Sequence, residues 1–175
     1  MEPWPDLRDI LGGIPWVIIG GVATRTYMPE RNTKDMDILV RYDDGEEVID
    51  RLLKAGYKKV SRLAVPGYLM RSPEGVEVDV LLGRYPWLDK ALAQSQPDPA
   101  GYPAIALSYL VLLKLAANRG RDVGDMTTML GLASDEQLNE IRAVVARYSP
   151  EDKDDLESLI FLGRQEMQWP SDKEE

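Results

Sequence analysis

Asp35 and Asp37, one residue apart in Lys34-Asp35-Met36-Asp37-Ile38-Leu39-Val40, are the residues whose type and spacing bear most directly on chemistry. In a β-strand successive side chains point to opposite faces, so the two carboxylates project from one face while Met36, Ile38 and Val40 project from the other. One face can bury itself and the other can hold a cation. A second acidic segment, Glu77-Val78-Asp79-Val80-Leu81-Leu82, repeats the pattern, with Glu77 and Asp79 on one face and the valines on the other. Were the two strands neighbours in one sheet, Asp79 would stand beside Asp35 and Asp37, and three mutually repelling carboxylates need a divalent cation to coexist. One metal or two at such a place would clamp an attacking oxygen and a leaving phosphate. The competing reading is that alternating acids mark only the solvent faces of half-exposed strands.

Gly20-Gly21 follows the apolar run Pro15-Trp16-Val17-Ile18-Ile19. Two residues without Cβ let the backbone approach a phosphate, and a helix after them would present its N-terminal N–H groups to the anion. A plain turn is the alternative for any isolated glycine pair. The segment is neither a Walker loop nor a dinucleotide fingerprint. The chain has no histidine and no cysteine. Imidazole bases, thiolate nucleophiles, disulfides and zinc–thiolate sites are therefore excluded, leaving carboxylates, Lys, Tyr and Ser/Thr for chemistry. A carboxylate site favours a hard cation, magnesium or manganese.

The elements that must position these groups read as follows. Pro5 to Leu11 is expected as a short helix stopped by Gly12-Gly13, Pro15 to Ile19 as a buried strand, Val22 to Met28 as a helix, and Met36 to Tyr42 as the second strand. A helix starts in Asp43-Asp44-Gly45-Glu46-Glu47, with Val48, Leu52 and Leu53 as its apolar stripe. Tyr57 to Ala64, Tyr68 to Arg71 and Val76 to Leu82 are three further strands. After Leu82 the period becomes helical: Trp87 to Ala93, Ile105 to Asn118, Asp122 to Leu130, Asp135 to Arg147 and Glu151 to Gln168, with Pro97 to Pro103 as a linker. Ser134 with Gln137 is a capping box, and Ser149-Pro150 an N-cap followed by proline. Leu156, Leu159, Ile160, Gly163 and Met167 share one face of the last helix, and Ser171 to Glu175 reads as a frayed tail. The expectation is an α/β (α+β) fold, a mixed sheet flanked by helices, with a core over residues 1–96 and a helical C-terminal region over 97–175 packed on it as one compact unit.

The 175 residues carry a formal charge of −9, but residues 149–175 hold nine acids against three bases. The remainder is only mildly acidic, so bulk charge does not exclude a phosphate-bearing substrate. No apolar run approaches a membrane span and the N-terminus lacks the pattern of a signal peptide, so a soluble, cytoplasmic protein without membrane partners is expected.

Together Ile19-Gly20-Gly21 and Asp35-Met36-Asp37 resemble the signature of the polymerase-β-like nucleotidyltransferase superfamily, an apolar residue, Gly-Gly or Gly-Ser, a spacer, then Asp-x-Asp/Glu on a strand. The string Arg31-Asn32-Thr33-Lys34-Asp35-Met36-Asp37 is similar to the form found in the branch of AbiEii-type toxins and minimal nucleotidyltransferase-like proteins. The resemblance implies that Asp35 and Asp37 bind Mg2+ (or Mn2+), that Asp79 completes the metal set and assists deprotonation of the acceptor, and that Gly20 and Gly21 hold a nucleoside triphosphate. It further implies transfer of a nucleoside monophosphate to a hydroxyl on RNA such as tRNA, on a protein or on a small molecule, and a toxin paired with an antitoxin protein as one biological role. The rival readings are an inactive scaffold acting as nucleotide sensor or antitoxin-like partner, and an interaction protein whose acids are solvent faces.

Tyr109-Leu-Val-Leu-Leu-Lys114-Leu-Ala-Ala-Asn-Arg119-Gly-Arg121-Asp122-Val-Gly-Asp125 is similar to a segment of those toxin-like relatives whose lysine reaches the phosphates. From the residues alone, Lys114 is the only charge between Ile105 and Ala117, and it must snorkel, lose its proton or meet an anion. Asp122 and Asp125 read equally as an N-cap and first-turn acid of the next helix. Arg25, Arg31 and Lys34 are expected at nucleotide or nucleic-acid phosphates. Lys58, Lys59 and Arg62 form a second basic cluster, a solvated surface being its alternative. Tyr68, Tyr85 and Trp87 could stack a base or pack in the core.

Overall fold

The computed structural model describes residues 4–168. Their contacts divide the described residues into two compact units, one over 4–26 and 30–106 and one over 27–29 and 107–168.

The first unit is built on a seven-stranded mixed sheet. Its strands are β1 (Trp16–Ile19), β2 (Asp35–Arg41), β3 (Lys58–Arg62), β4 (Gly67–Arg71), β5 (Glu77–Gly83), β6 (Gln96–Pro97) and β7 (Pro103–Ala104). They lie in the order β3-β4-β5-β2-β1-β7-β6. β2 and β5 are parallel, as are β1 and β7, and the other neighbours are antiparallel. Alternation along the acidic strands sorts the faces: Met36, Ile38, Val78 and Val80 are fully buried, whereas Asp35, Asp37, Glu77 and Asp79 are half-buried. Helix α2 (Gly45–Lys54) buries Val48, Ile49 and Leu52, and Gly45 lies against the Leu82 side chain of β5. Leu53, expected in that stripe, is instead 45% exposed, because Ile49 takes the buried side of the turn.

Three local expectations are corrected. Pro5 to Leu11 forms turns rather than a helix, closed by hydrogen bonds from Leu11 N to Leu7 O at 2.8 Å and from Ile14 N to Leu11 O at 2.9 Å. Gly13, at φ +81°, reverses the chain just after it. The helix after β1 is α1 (Gly20–Thr24), which begins at the glycine pair itself and ends before Met28. Pro97 to Pro103, expected as a linker, is framed by two short strands: β6 and β7 make a ribbon whose Ala104 pairs with Ile18 of β1, and residues 97–106 fall in the sheet unit. α3 (Leu88–Ala93) precedes that ribbon.

The second unit contains α4 (Leu107–Ala117), α5 (Gly120–Leu132), α6 (Asp135–Tyr148) and α7 (Lys153–Gln168). The Ser134 capping box forms, with Gln137 N donating to Ser134 Oγ at 3.1 Å and Ser134 N donating to Gln137 Oε1 at 2.9 Å. Ser149 makes no backbone cap; its hydroxyl donates to the Asp152 carboxylate, and a 3-10 turn over Pro150–Asp152 leads into α7. α5 and α7 cross at glycines: a Cβ at Gly163 would stand 2.8 Å from Gly131 N and closer still to Thr127 O. Leu156 and Ile160 are buried on that side of α7, while Met167 is 44% exposed. Among the described residues no helix is long and apolar enough to cross a membrane. The expected tail at 171–175 lies outside the described residues.

Candidate active site

The sheet register assembles the acidic face. Asp37 stands beside Asp79 across the parallel pair β2/β5, and Asp35 beside Glu77. Directly paired residues share a face, so Asp35, Asp37 and Asp79 project together from the sheet. Their mutual repulsion is visible in Asp79: burial pushes its carboxyl above the ordinary range, and the charges of Asp35 and then Glu77 push it further. Asp37 also lies opposite Ile19, the last residue of β1. The next residue, Gly20, therefore comes up against the Asp37 carboxylate.

Gly20 adopts φ +63°, a left-handed conformation that costs an L-residue free energy, and a Cβ there would be 3.0 Å from Asp37 Cγ and closer to Oδ2. Gly21 is constrained from another direction. Its missing Cβ leaves room for Thr33 Oγ1, with Arg31 Nη2 3.2 Å from the same point. Arg31 Nη1 donates to Thr33 Oγ1 at 3.1 Å and to Asn32 O at 3.2 Å, which ties the loop before β2 across α1. The glycine pair thus lets two neighbouring segments close on the start of α1. With only five residues, α1 adds little macrodipole.

A cleft of about 590 Å³ opens beside this arrangement, within the sheet unit, and Gly21, Arg25, Arg31, Lys34, Arg71 and Glu77 contribute to its lining. With Glu30 counted, four cations face two carboxylates there. Glu30 sits 3.6 Å from Arg25 Nη1, and Glu77 3.0 Å from Arg71 Nη2. Asp35, Asp37 and Asp79 do not themselves line the cleft; its nearest strand residues are Lys34 and Glu77, which adjoin Asp35 along the chain and across the register.

Two residues expected at phosphates have carboxylate partners of their own. Arg25 Nε donates to Asp98 Oδ2 at 2.6 Å, and Asp98, whose side chain is fully buried, accepts in turn from Ala100 N at 2.9 Å and Tyr102 N at 2.8 Å. That pairing anchors α1 to the β6–β7 ribbon, a role the sequence does not signal because Asp98 lies between two prolines. Lys114 belongs to the helical unit and meets an anion there, Asp122 Oδ1 at 3.0 Å and Asp125 Oδ2 at 2.8 Å, all three side chains being at most 5% exposed. Asp122 is the third residue of α5 and accepts from Arg119 N at 3.3 Å and Arg119 Nε at 2.9 Å. Burial would raise its carboxyl, but the hydrogen bonds and charges of Lys114 and Arg119 hold it below the ordinary range. Tyr85 and Trp87 stack on each other, with ring centroids 4.5 Å apart. Arg71 and Asp98 carry no signal in the sequence; register and chain reversal bring them in, while Thr33 belongs to the string that precedes β2.

Among the described residues, no group of three or more Asp, Glu, His or Cys side chains is gathered tightly enough to hold a metal ion alone. Asp35, Asp37 and Asp79 are therefore not a closed cage. The donor set still suits Mg2+, which is commonly bound through one or two carboxylates together with substrate phosphates.

No family model and no curated protein matches the chain. Among solved structures, a putative nucleotidyltransferase from Thermotoga maritima superposes with a TM-score of 0.50 at 15% identity, over 67% of this chain and 86% of that one. At that identity the likeness shows the fold: the chain has the nucleotidyltransferase fold, as its mixed sheet and C-terminal helices were expected to form. The antibiotic-resistance factor ANT(2'')-Ia gives a TM-score of 0.49 at 15% identity, over 93% of this chain and 91% of that one. A cytoplasmic RNA terminal U-transferase gives 0.36 at 18% identity, over 76% and 36%.

Proposed function

We propose that the protein transfers a nucleoside monophosphate from a nucleoside triphosphate to a hydroxyl acceptor. The single observation that carries this reading is the Gly20–Asp37–Asp79 arrangement, a glycine turn pressed against one carboxylate that stands in register with a second. Beside it lies a cleft with an excess of cations, suited to a polyphosphate.

In this mechanism the acceptor oxygen attacks the α-phosphorus, the bond from that phosphorus to the bridging oxygen breaks, and pyrophosphate leaves. Asp79, whose raised affinity for protons suits a base, takes the hydroxyl proton. Asp35 and Asp37 would hold Mg2+ (or Mn2+), which supplies positive charge opposite the phosphate oxygens. Arg31 and Lys34 orient the triphosphate tail in the cleft, and Gly21 lets Thr33 and Arg31 close on the start of α1 beside it. Positioning and fixed charge supply the catalysis, with no covalent intermediate on the enzyme. Arg25 and Lys114 have no direct part. A toxin role with an antitoxin partner would be one use of the same reaction.

The test is incubation of purified protein with labelled NTPs, Mg2+ and a panel of RNA, protein and small-molecule acceptors. Label transfer by wild type, lost in Asp37→Asn, supports the reading. Absence of both transfer and Mg-NTP binding in the wild type refutes it. Retained binding without turnover would identify a nucleotide-sensing scaffold.

A further inference from the structure

Within the second basic cluster the register of the sheet singles out Lys58, because Lys59 and Arg62 pair with Met70 and Tyr68, which share the opposite face with Val78 and Val80. Asp35 is paired with Glu77, Glu77 with Arg71, and Arg71 with Lys58. Each pair shares a face, so the four residues form one row across β2, β5, β4 and β3, on the same side as Asp37 and Asp79. Strands are about 4.8 Å apart, so Lys58 stands about 14 Å from Asp35 along that row. The adjacent row runs Asp37, Asp79, Leu69 and Ser61. The face therefore passes from carboxylates at its centre to cations at its open edge.

That edge is accessible. All five residues of β3 are exposed, Lys58 among them; Lys59, 4.2 Å from the ring centroid of Tyr68, belongs to the other face. Arg71 reaches Glu77 at 3.0 Å, with both side chains more than 40% exposed. An exposed pair of this kind is weak, and a phosphate can compete for the guanidinium. Lys58 enters no salt bridge among the described residues. Arg71 also lines the cleft that contains Gly21, Arg31 and Lys34, so cations line the path from the glycine turn to the edge.

We propose that this face, from Asp79 out to Lys58 and Arg71, seats the acceptor, and that the acceptor carries phosphate near its reactive hydroxyl. The inference rests on the nucleotidyl-transfer reading above. A triphosphate tail held at Gly21 and Lys34 does not account for a cation row ending at β3. An amino-sugar acceptor, itself polycationic, is repelled by Lys58 and Arg71, and Glu77 is the only carboxylate on the row beyond Asp35. The competing explanation is that lysines on β3 merely guard an open sheet edge against pairing.

The experiment is equilibrium binding of a fluorescent single-stranded RNA oligonucleotide to the full chain across a salt series, with Mg-NTP binding measured separately. Ribose 5-phosphate and an aminoglycoside serve as competitors and, with labelled NTP, as acceptors. The expected result is oligonucleotide binding that weakens log-linearly with salt, the slope falling by about 1 for each phosphate contact removed in Lys58→Gln and Arg71→Gln. Mg-NTP affinity should stay unchanged in Lys58→Gln, whose residue lies outside the cleft lining. Competition and labelling of ribose 5-phosphate would show that a small phosphorylated acceptor suffices; its failure beside RNA binding would assign the phosphates to a nucleic-acid strand. The inference is overturned if Mg-NTP binds but the oligonucleotide and ribose 5-phosphate do not, if the aminoglycoside is the labelled acceptor, or if both variants leave affinity and slope unchanged. Failure of Mg-NTP to bind wild type overturns the functional reading instead.

Discussion

Gly20 and Asp37 contend for the same space: the position a Cβ would take on Gly20 lies 3.0 Å from the Asp37 Cγ and nearer to its Oδ2. Ile19 is paired with Asp37 across β1 and β2, and the chain turns into α1 at the following residue. The glycine is needed twice, for the left-handed φ of +63° and for the carboxylate beside it.

Gly20→Ala should therefore do more harm than a turn substitution. The left-handed conformation alone costs an L-residue about 1–2 kcal/mol, and the displaced carboxylate adds to it. A misplacement of about 1 Å at a reacting centre can cost about a hundredfold in rate. Thermal melting and label transfer measure the two effects, and a variant with wild-type values for both would show that Asp37 can move without consequence.

Asp79 gives a pH signature. Its pKa is raised in the folded state, by burial first and then by Asp35 and Glu77. The folded protein thus holds this proton more tightly than the unfolded chain, and the associated stability is full below the ordinary carboxylate pKa and lost as pH rises through the raised one. At neutral pH the metal-free protein bears the cost, so Asp79→Asn should melt at a higher temperature than wild type there, the difference vanishing as pH falls below the ordinary carboxylate range. Added Mg2+ should raise the wild-type melting temperature more than that of the variant.

Lys114→Met leaves Asp122 and Asp125 buried without their shared cation. Removing one partner of a buried charge group costs about 3–5 kcal/mol, so urea denaturation should show a large loss at pH 7. Asp122 is depressed in the folded state, hence its contribution is present above the ordinary carboxylate pKa and lost as pH falls through the depressed value. Acid should accordingly erode wild-type stability more than that of Asp122→Asn.

The α5–α7 crossing separates two glycines of similar helical context. Alanine gains about 0.5–1 kcal/mol over glycine inside a helix, and a Cβ at Gly124 meets nothing within 4 Å. Gly124→Ala should stabilise by that amount. Gly163→Ala forces a methyl into the backbone of Thr127 and Gly131, and overpacking costs about 1–3 kcal/mol, enough to outweigh the propensity gain. Chemical denaturation of the two variants should give opposite signs.

By itself the sequence determined the pattern of the two acidic strands, because alternation at period two is a local property that survives whatever the neighbours are. It likewise determined the Ser134–Gln137 cap, which depends on residues three apart. It excluded imidazole and thiolate chemistry outright, and its charge left the first 148 residues free to meet phosphate. Only the tertiary structure decided that β2 and β5 are parallel neighbours with Asp37 opposite Asp79, since register is set by long-range pairing that no local window contains. The same holds for the ion pairs of Arg25 with Asp98 and of Lys114 with Asp122 and Asp125. A guanidinium or ammonium goes to the nearest buried carboxylate, and the fold decides which carboxylate that is. The two ends of the expected linker, Gln96–Pro97 and Pro103–Ala104, became short strands because β1 offered Ala104 an unpaired edge. The row from Asp35 to Lys58 has the same origin, four separate strands brought side by side.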